Sequence, residues 1–92
     1  MAAAKSGNKQ QTFLFNAPDA ARVLLVGDFT QWQERAIPMK RRIDGRWQAT
    51  VVLRPGSYHY RFIVDGDWRD DPDCAQRVAN PFGTEDAVRL VA

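Results

Sequence analysis

The chain has 92 residues, room for one domain around one core, and 45% of them are aliphatic or aromatic, enough apolar surface to fold without staples. Thirteen basic residues against eleven acidic ones leave a net charge of +2, too small to demand a polyanionic partner. The single cysteine, Cys74, excludes an internal disulfide and a cysteine-based metal site, and fits a reducing compartment.

Residues 1–11 are polar and aperiodic and read as a disordered tail, with the folded domain spanning 12–92. The N-terminal Met1-Ala2-Ala3-Ala4-Lys5-Ser6-Gly7 lacks the apolar stretch of a secretory signal, and no apolar run approaches membrane-spanning length. These two features lead to the expectation of a cytoplasmic protein with no membrane partner.

From residue 12 onward no helical apolar stripe appears, and the pattern is one of short strands separated by turn signals. A strand over 12–16 ends at Ala17-Pro18-Asp19. The next, over 22–26, holds four consecutive apolar residues, Val23, Leu24, Leu25 and Val26, as suits a central strand buried on both faces. Asp44-Gly45, Pro55-Gly56 and Asp65-Gly66 then punctuate the chain every ten or eleven residues, the two Asp-Gly pairs predicting type I′ hairpins. Between them, one face collects Trp47, Ala49, Val51 and Leu53, and another collects Tyr58, Tyr60, Phe62 and Val64, with His59, Arg61 and Ile63 on the opposite side. A last strand covers 87–91. About seven short strands, each with an apolar face, predict an all-β antiparallel sandwich, since a lone sheet would leave its apolar face wet.

Several groups invite a chemical reading. Trp47 lies in the core register and reads as structural. Trp32, in the loop Gly27-Asp28-Phe29-Thr30-Gln31-Trp32-Gln33, and Trp68, in a polar loop after the Asp65-Gly66 turn, stand outside the apolar alternation. An indole so placed either folds back over the core edge or offers a flat face to the C–H-rich side of a sugar ring. The acidic set Asp65, Asp67, Asp70, Asp71 and Asp73 fails the EF-hand pattern, because Arg69 and Asp70 stand where an acidic or amide ligand and the glycine belong. Nor do carboxylates crowded into one loop face each other across a glycosidase cleft, so they read as turn chemistry. His59 is the only histidine, which excludes a multi-histidine metal site, and phosphate-binding glycine loops are absent. No catalytic residue, metal ligand or cofactor is therefore assigned. Lys40-Arg41-Arg42 with Arg46 could contact single-stranded nucleic acid, but a solvated hairpin that discourages edge-to-edge pairing accounts for them better, so no nucleic-acid partner is expected.

Four blocks, in order, resemble carbohydrate-binding module family 48. They are Val26-Gly27-Asp28-Phe29-Thr30-Gln31-Trp32, Leu53-Arg54-Pro55-Gly56, the run from Tyr58 through Asp65-Gly66-Asp67-Trp68, and Asn80-Pro81-Phe82-Gly83-Thr84. That family includes the glycogen-binding domain of the AMP-activated protein kinase beta subunit and the N-terminal domains of isoamylases and branching enzymes. The resemblance implies an immunoglobulin-like β-sandwich that binds α-glucan, with Trp32 and Trp68 as the sugar-stacking platform. It places Arg61 where the family carries a lysine that bonds hydroxyls, Phe82 where an apolar residue props a sugar ring, and Thr84 and Asp86 where a threonine and an asparagine follow. It also implies, as partners, an α-glucan chain and a glycogen-metabolising enzyme or a kinase. The alternative is a protein-interaction or regulatory sandwich that no longer binds sugar.

Overall fold

The computed structural model describes residues 8–92. Nine strands run β1 (Lys9–Asn16), β2 (Val23–Gly27), β3 (Ile37–Pro38), β4 (Lys40–Arg41), β5 (Arg46–Leu53), β6 (Gly56–Val64), β7 (Asp67–Arg69), β8 (Arg77–Ala79) and β9 (Glu85–Val91). They form two antiparallel sheets, a three-stranded one ordered β1-β5-β4 and a larger one ordered β3-β2-β6-β9-β8, with β7 also paired to β6. The expected all-β sandwich is what the chain builds, with short strands β3, β4, β7 and β8 added to the longer ones legible in the sequence.

The core lies between the sheets and is made by the predicted alternation. Trp47, Ala49 and Leu53 of β5, together with Phe13 and Phe15 of β1, meet Val23 and Leu25 of β2, Tyr60, Phe62 and Val64 of β6, and Ala87 and Val91 of β9. Aromatic edges interlock across the gap: Phe13 meets Tyr60 at 4.9 Å between centroids and 73°, and Phe15 meets Phe62 at 4.8 Å. Trp47 is buried, as its register required, and its indole N–H donates to the Ala17 carbonyl at 2.8 Å. The Tyr60 hydroxyl donates to the buried Asp71 carboxylate, which also accepts the Asp73 amide at 3.0 Å and so ties the loop after β7 to the core. Burial, and then that hydrogen bond to a carboxylate, hold the Tyr60 phenol well above its ordinary pKa.

Three local expectations change. The first strand begins at Lys9, with Lys9 opposite Leu53 and Gln11 opposite Val51, so the tail boundary at residue 11 falls inside β1, while residues 1–7 of that tail lie outside the described residues. The eight-residue length of β5 supplies the partners that polar side chains alone do not advertise. Asp44-Gly45 is not a type I′ turn: only Gly45 has positive φ (87°), the Gly45 amide donates to the Arg42 carbonyl at 3.0 Å, and the three-residue loop closes as a type I turn with a glycine bulge. Asp65-Gly66, at φ 50° and 91°, has the positive pair that type I′ needs. Trp68 is not in a loop, since it lies on β7 directly opposite Ile63 of β6.

Arg41 and Arg46 are exposed, as expected of a solvated hairpin, and each also has a partner. Arg41 donates to the Pro18 carbonyl at 3.1 Å and lies over the Trp47 ring, and Arg46 pairs with Asp44 at 3.0 Å.

Candidate functional site

The site stands on the outer face of the larger sheet. Alternation along β6 sends Tyr60 and Phe62 into the core and His59, Arg61 and Ile63 outward. The register then sets Val26 beside Arg61, and Leu24, Ile63 and Trp68 in one row across β2, β6 and β7. Val26 is fully buried and Ile63 is 6% exposed, although neither faces the opposite sheet. This outer side of the sheet is thus an apolar floor rather than a solvated surface.

Three segments surround that floor. After β2 the chain makes two short 3-10 turns, Asp28–Thr30 and Trp32–Arg35, joined through Gln31. Gln31 and Trp32 both adopt left-handed backbone, at φ 53° and 57°, a conformation that costs a non-glycine residue on the order of 1–2 kcal/mol. The β6–β7 hairpin carries Trp68, and the β8–β9 connection carries residues 80–84. The segments meet so that Trp32 and Trp68 stand 6.4 Å apart between ring centroids, inclined at 38°.

Arg61 lies between the indoles and the third segment. Its guanidinium stacks on Trp68 at 5.4 Å, pairs with Asp70 at 3.0 Å and donates to Thr84 Oγ1 at 3.3 Å. Arg61 Nε is the one buried side-chain polar atom without a hydrogen-bond partner among the described residues. Asp70 also reaches Arg77 at 3.3 Å, so the acidic residues after β7 serve structure, as turn chemistry and as counter-charge.

All six candidate residues, Trp32, Arg61, Trp68, Phe82, Thr84 and Asp86, line one open cleft of about 810 Å³. Phe82 projects at its rim, 89% exposed. Asp86 is buried, receives the Asn80 amide on one carboxylate oxygen at 2.9 Å, and has His59 Nδ1 4.0 Å from the other.

Sequence reasoning assigned no role to Asn80, which proves to be the organiser of the third segment. Its side-chain oxygen accepts the Phe82 and Thr84 amides at 3.0 and 3.2 Å, and its amide donates to Thr84 Oγ1 at 2.8 Å and to Asp86. The signal available was asparagine at the head of Asn-Pro-x-Gly, where an Asx side chain closes the turn. Gln33 and Pro81 also line the cleft and were not singled out.

A small β-sandwich whose one sheet face holds an aromatic pair ringed by a guanidinium, a hydroxyl and an amide has the form of a carbohydrate-binding module. The chain belongs to the family described as the glycogen recognition site of AMP-activated protein kinase, whose model matches residues 10–88. It is 44% identical over 61 residues to the chloroplastic phosphoglucan phosphatase LSF1 of Arabidopsis thaliana, covering 63% of this chain and 10% of that protein. It is 42% identical over 53 residues to the chloroplastic protein PTST homolog 2 of the same plant, covering 58% and 10%. It is 32% identical over 77 residues to the 1,4-alpha-glucan branching enzyme GlgB of Synechococcus sp. (strain RCC307), covering 84% and 10%. The chain thus spans about a tenth of the length of these relatives.

The cytoplasmic expectation is overturned by these matches, because two of the relatives are chloroplastic proteins, which points to a plastid. A missing secretory signal says nothing about plastid import, whose address segments are amphipathic and serine- and arginine-rich rather than apolar.

Proposed function

We propose that this chain is a non-catalytic α-glucan-binding module of the plastid. Trp32 and Trp68 are the platform on which two glucose units stack, Arg61 and Thr84 donate to sugar hydroxyls, Asp86 accepts from one, and Phe82 fills the curve of the chain. The observation that carries this reading is the inclined indole pair at 6.4 Å and 38°. α-1,4-Linked glucose turns from one unit to the next, so its successive faces suit two tilted plates, whereas a flat cellulose chain suits coplanar ones. Direct polar groups around an apolar plate give orientation without large affinity, and a Kd of roughly micromolar to millimolar follows, about −8 to −4 kcal/mol. The branching enzyme among the relatives supports a glycogen- or starch-metabolising enzyme as the companion of this module.

The test is a titration of maltoheptaose followed by tryptophan fluorescence, with a cellulose oligomer and a short DNA strand as controls. Saturable quenching by maltoheptaose alone is expected. No response to maltoheptaose sinks the reading in favour of a protein-interaction domain, and reducing sugar released from starch by the purified protein sinks its non-catalytic part.

A further inference from the structure

Trp32 owes its place to backbone that side-chain-bearing residues avoid. Gln31 and Trp32 take left-handed φ values one after the other, and neither is glycine. Two such residues in succession persist only where neighbouring contacts over-determine them. The contacts are visible immediately upstream. Thr30 is 2% exposed, and its hydroxyl accepts the Gly27 amide at 2.9 Å while lying 2.7 Å from the Trp32 carbonyl, to which it donates. The Gly27 carbonyl, at 3.0 Å, is the competing acceptor for the same proton.

Gly27 is itself held closely against β6. It pairs with Tyr60 across the β2–β6 ladder, and a Cβ there would come within 2.5 Å of the His59 carbonyl oxygen. The order of attachment is therefore β6 to Gly27, Gly27 to the Thr30 hydroxyl, and that hydroxyl to the backbone of Trp32. A hydroxyl is suited to this because it accepts and donates at once from a short side chain. Valine has the same shape and can do neither.

We propose that Thr30 is a positioning residue for the indole platform: its hydroxyl holds the left-handed Gln31-Trp32 turn and so sets Trp32 against Trp68. The proposal rests on the glucan-site reading for its functional meaning, but its geometric content is independent of any sugar. A platform fixed before the ligand arrives spares the ligand the ordering of that turn.

The experiment uses the two indoles as their own probe. Rings 6.4 Å apart couple electronically and give an exciton couplet in far-ultraviolet circular dichroism, whose assignment Trp32→Phe verifies by abolishing it. Thr30→Val is expected to lose the couplet and to weaken maltoheptaose binding by about tenfold, the loss of one aromatic contact. Thr30→Ser keeps the hydroxyl and is expected to keep both. Should Thr30→Val fail to fold, Thr30→Ala carries the test, since it removes the same hydroxyl without placing a second branched methyl against the Gly27 and Trp32 backbone. It is expected to fold and to lose the couplet. A couplet that survives Thr30→Val or Thr30→Ala, or that disappears in Thr30→Ser, overturns the proposal. A parent protein that shows the couplet and ignores maltoheptaose would defeat the glucan reading while leaving Thr30's positioning role standing.

Discussion

Trp68→Ala separates a binding role from a structural one. Trp68 sits on a three-residue strand on the outer face, 38% exposed, and takes no part in the core between the sheets. A sugar face stacked on the indole would remove on the order of 60–80 Å² of apolar surface from water, about 1.5–2 kcal/mol at roughly 25 cal/mol per Å². Since about 1.4 kcal/mol is tenfold in affinity, at least a tenfold loss for maltoheptaose is expected. Arg61 loses its stacking partner but keeps Asp70 and Thr84, so the rest of the cleft stays in place. Trp32→Ala should cost a similar factor, because it removes the other plate. The assay is calorimetric titration of each variant, with thermal melting alongside. Variants that melt like the parent and bind glucan as tightly refute the platform. A Trp68→Ala protein that unfolds would show instead that the indole is a structural cover for Ile63.

Other outcomes follow from the same geometry. Trp47→Ala should destabilise the fold by about 3–5 kcal/mol in denaturant titration, since it empties a core site and removes one of the two donors to the Ala17 carbonyl; near-parental melting would contradict its assigned role. Glucan binding should change little between low and moderate salt, because a neutral ligand releases no counterions, and a steep salt dependence would indicate a different site. Asn80→Ala should weaken maltoheptaose binding and also lower the melting temperature, since it frees Phe82 and Thr84 at the rim and removes the amide donor of the buried Asp86 carboxylate; unchanged binding would contradict its organising role. For Tyr60 the folded phenol titrates above the unfolded one, so its contribution is complete below the unfolded pKa of about 10 and is lost as pH rises beyond it. Melting temperature should therefore fall on the alkaline side of about pH 10, and the fall should be shallower in Tyr60→Phe.

What the sequence disclosed was local. Alternation has a period of two, so the faces of β5 and β6 could be read directly and map onto the structure residue by residue. Asp65-Gly66 was legible because a two-residue hairpin is determined by those two residues. Asp44-Gly45 was not, because the same dipeptide serves a three-residue loop, and only the closure between Arg42 and Arg46 distinguishes the two. Trp68 looked like a loop residue because three residues are too few to display an alternation. Its strand exists through pairing with β6, which is a matter of register. Asn80 was hidden for a related reason, since its bonds to Asp86 and Thr84 form only when the β8–β9 connection closes on itself.

The run of four apolar residues in β2 carries a further lesson about where the site comes from. Such a run predicted a strand buried on both faces, and the buried Val23, Leu25 and Val26 agree with that. Yet only one face of β2 meets the other sheet. Val23 and Leu25 enter the sandwich core, whereas Val26 points to the opposite side, where the Trp32 turn packs on β2 and Arg61 lies alongside. An ordinary sandwich sheet would be polar on that side. Part of what reads as a core signal is thus the bed on which the Trp32 turn rests, and the site stands on the central strands of its sheet. Its aromatic groups, Trp32, Trp68 and Phe82, come from turns and a hairpin that contribute little to the core, whereas Arg61 and Asp86 stand on β6 and β9. This division lets substitutions at Trp32, Trp68 or Phe82 alter recognition while the β2–β6–β9 ladder continues to specify the fold.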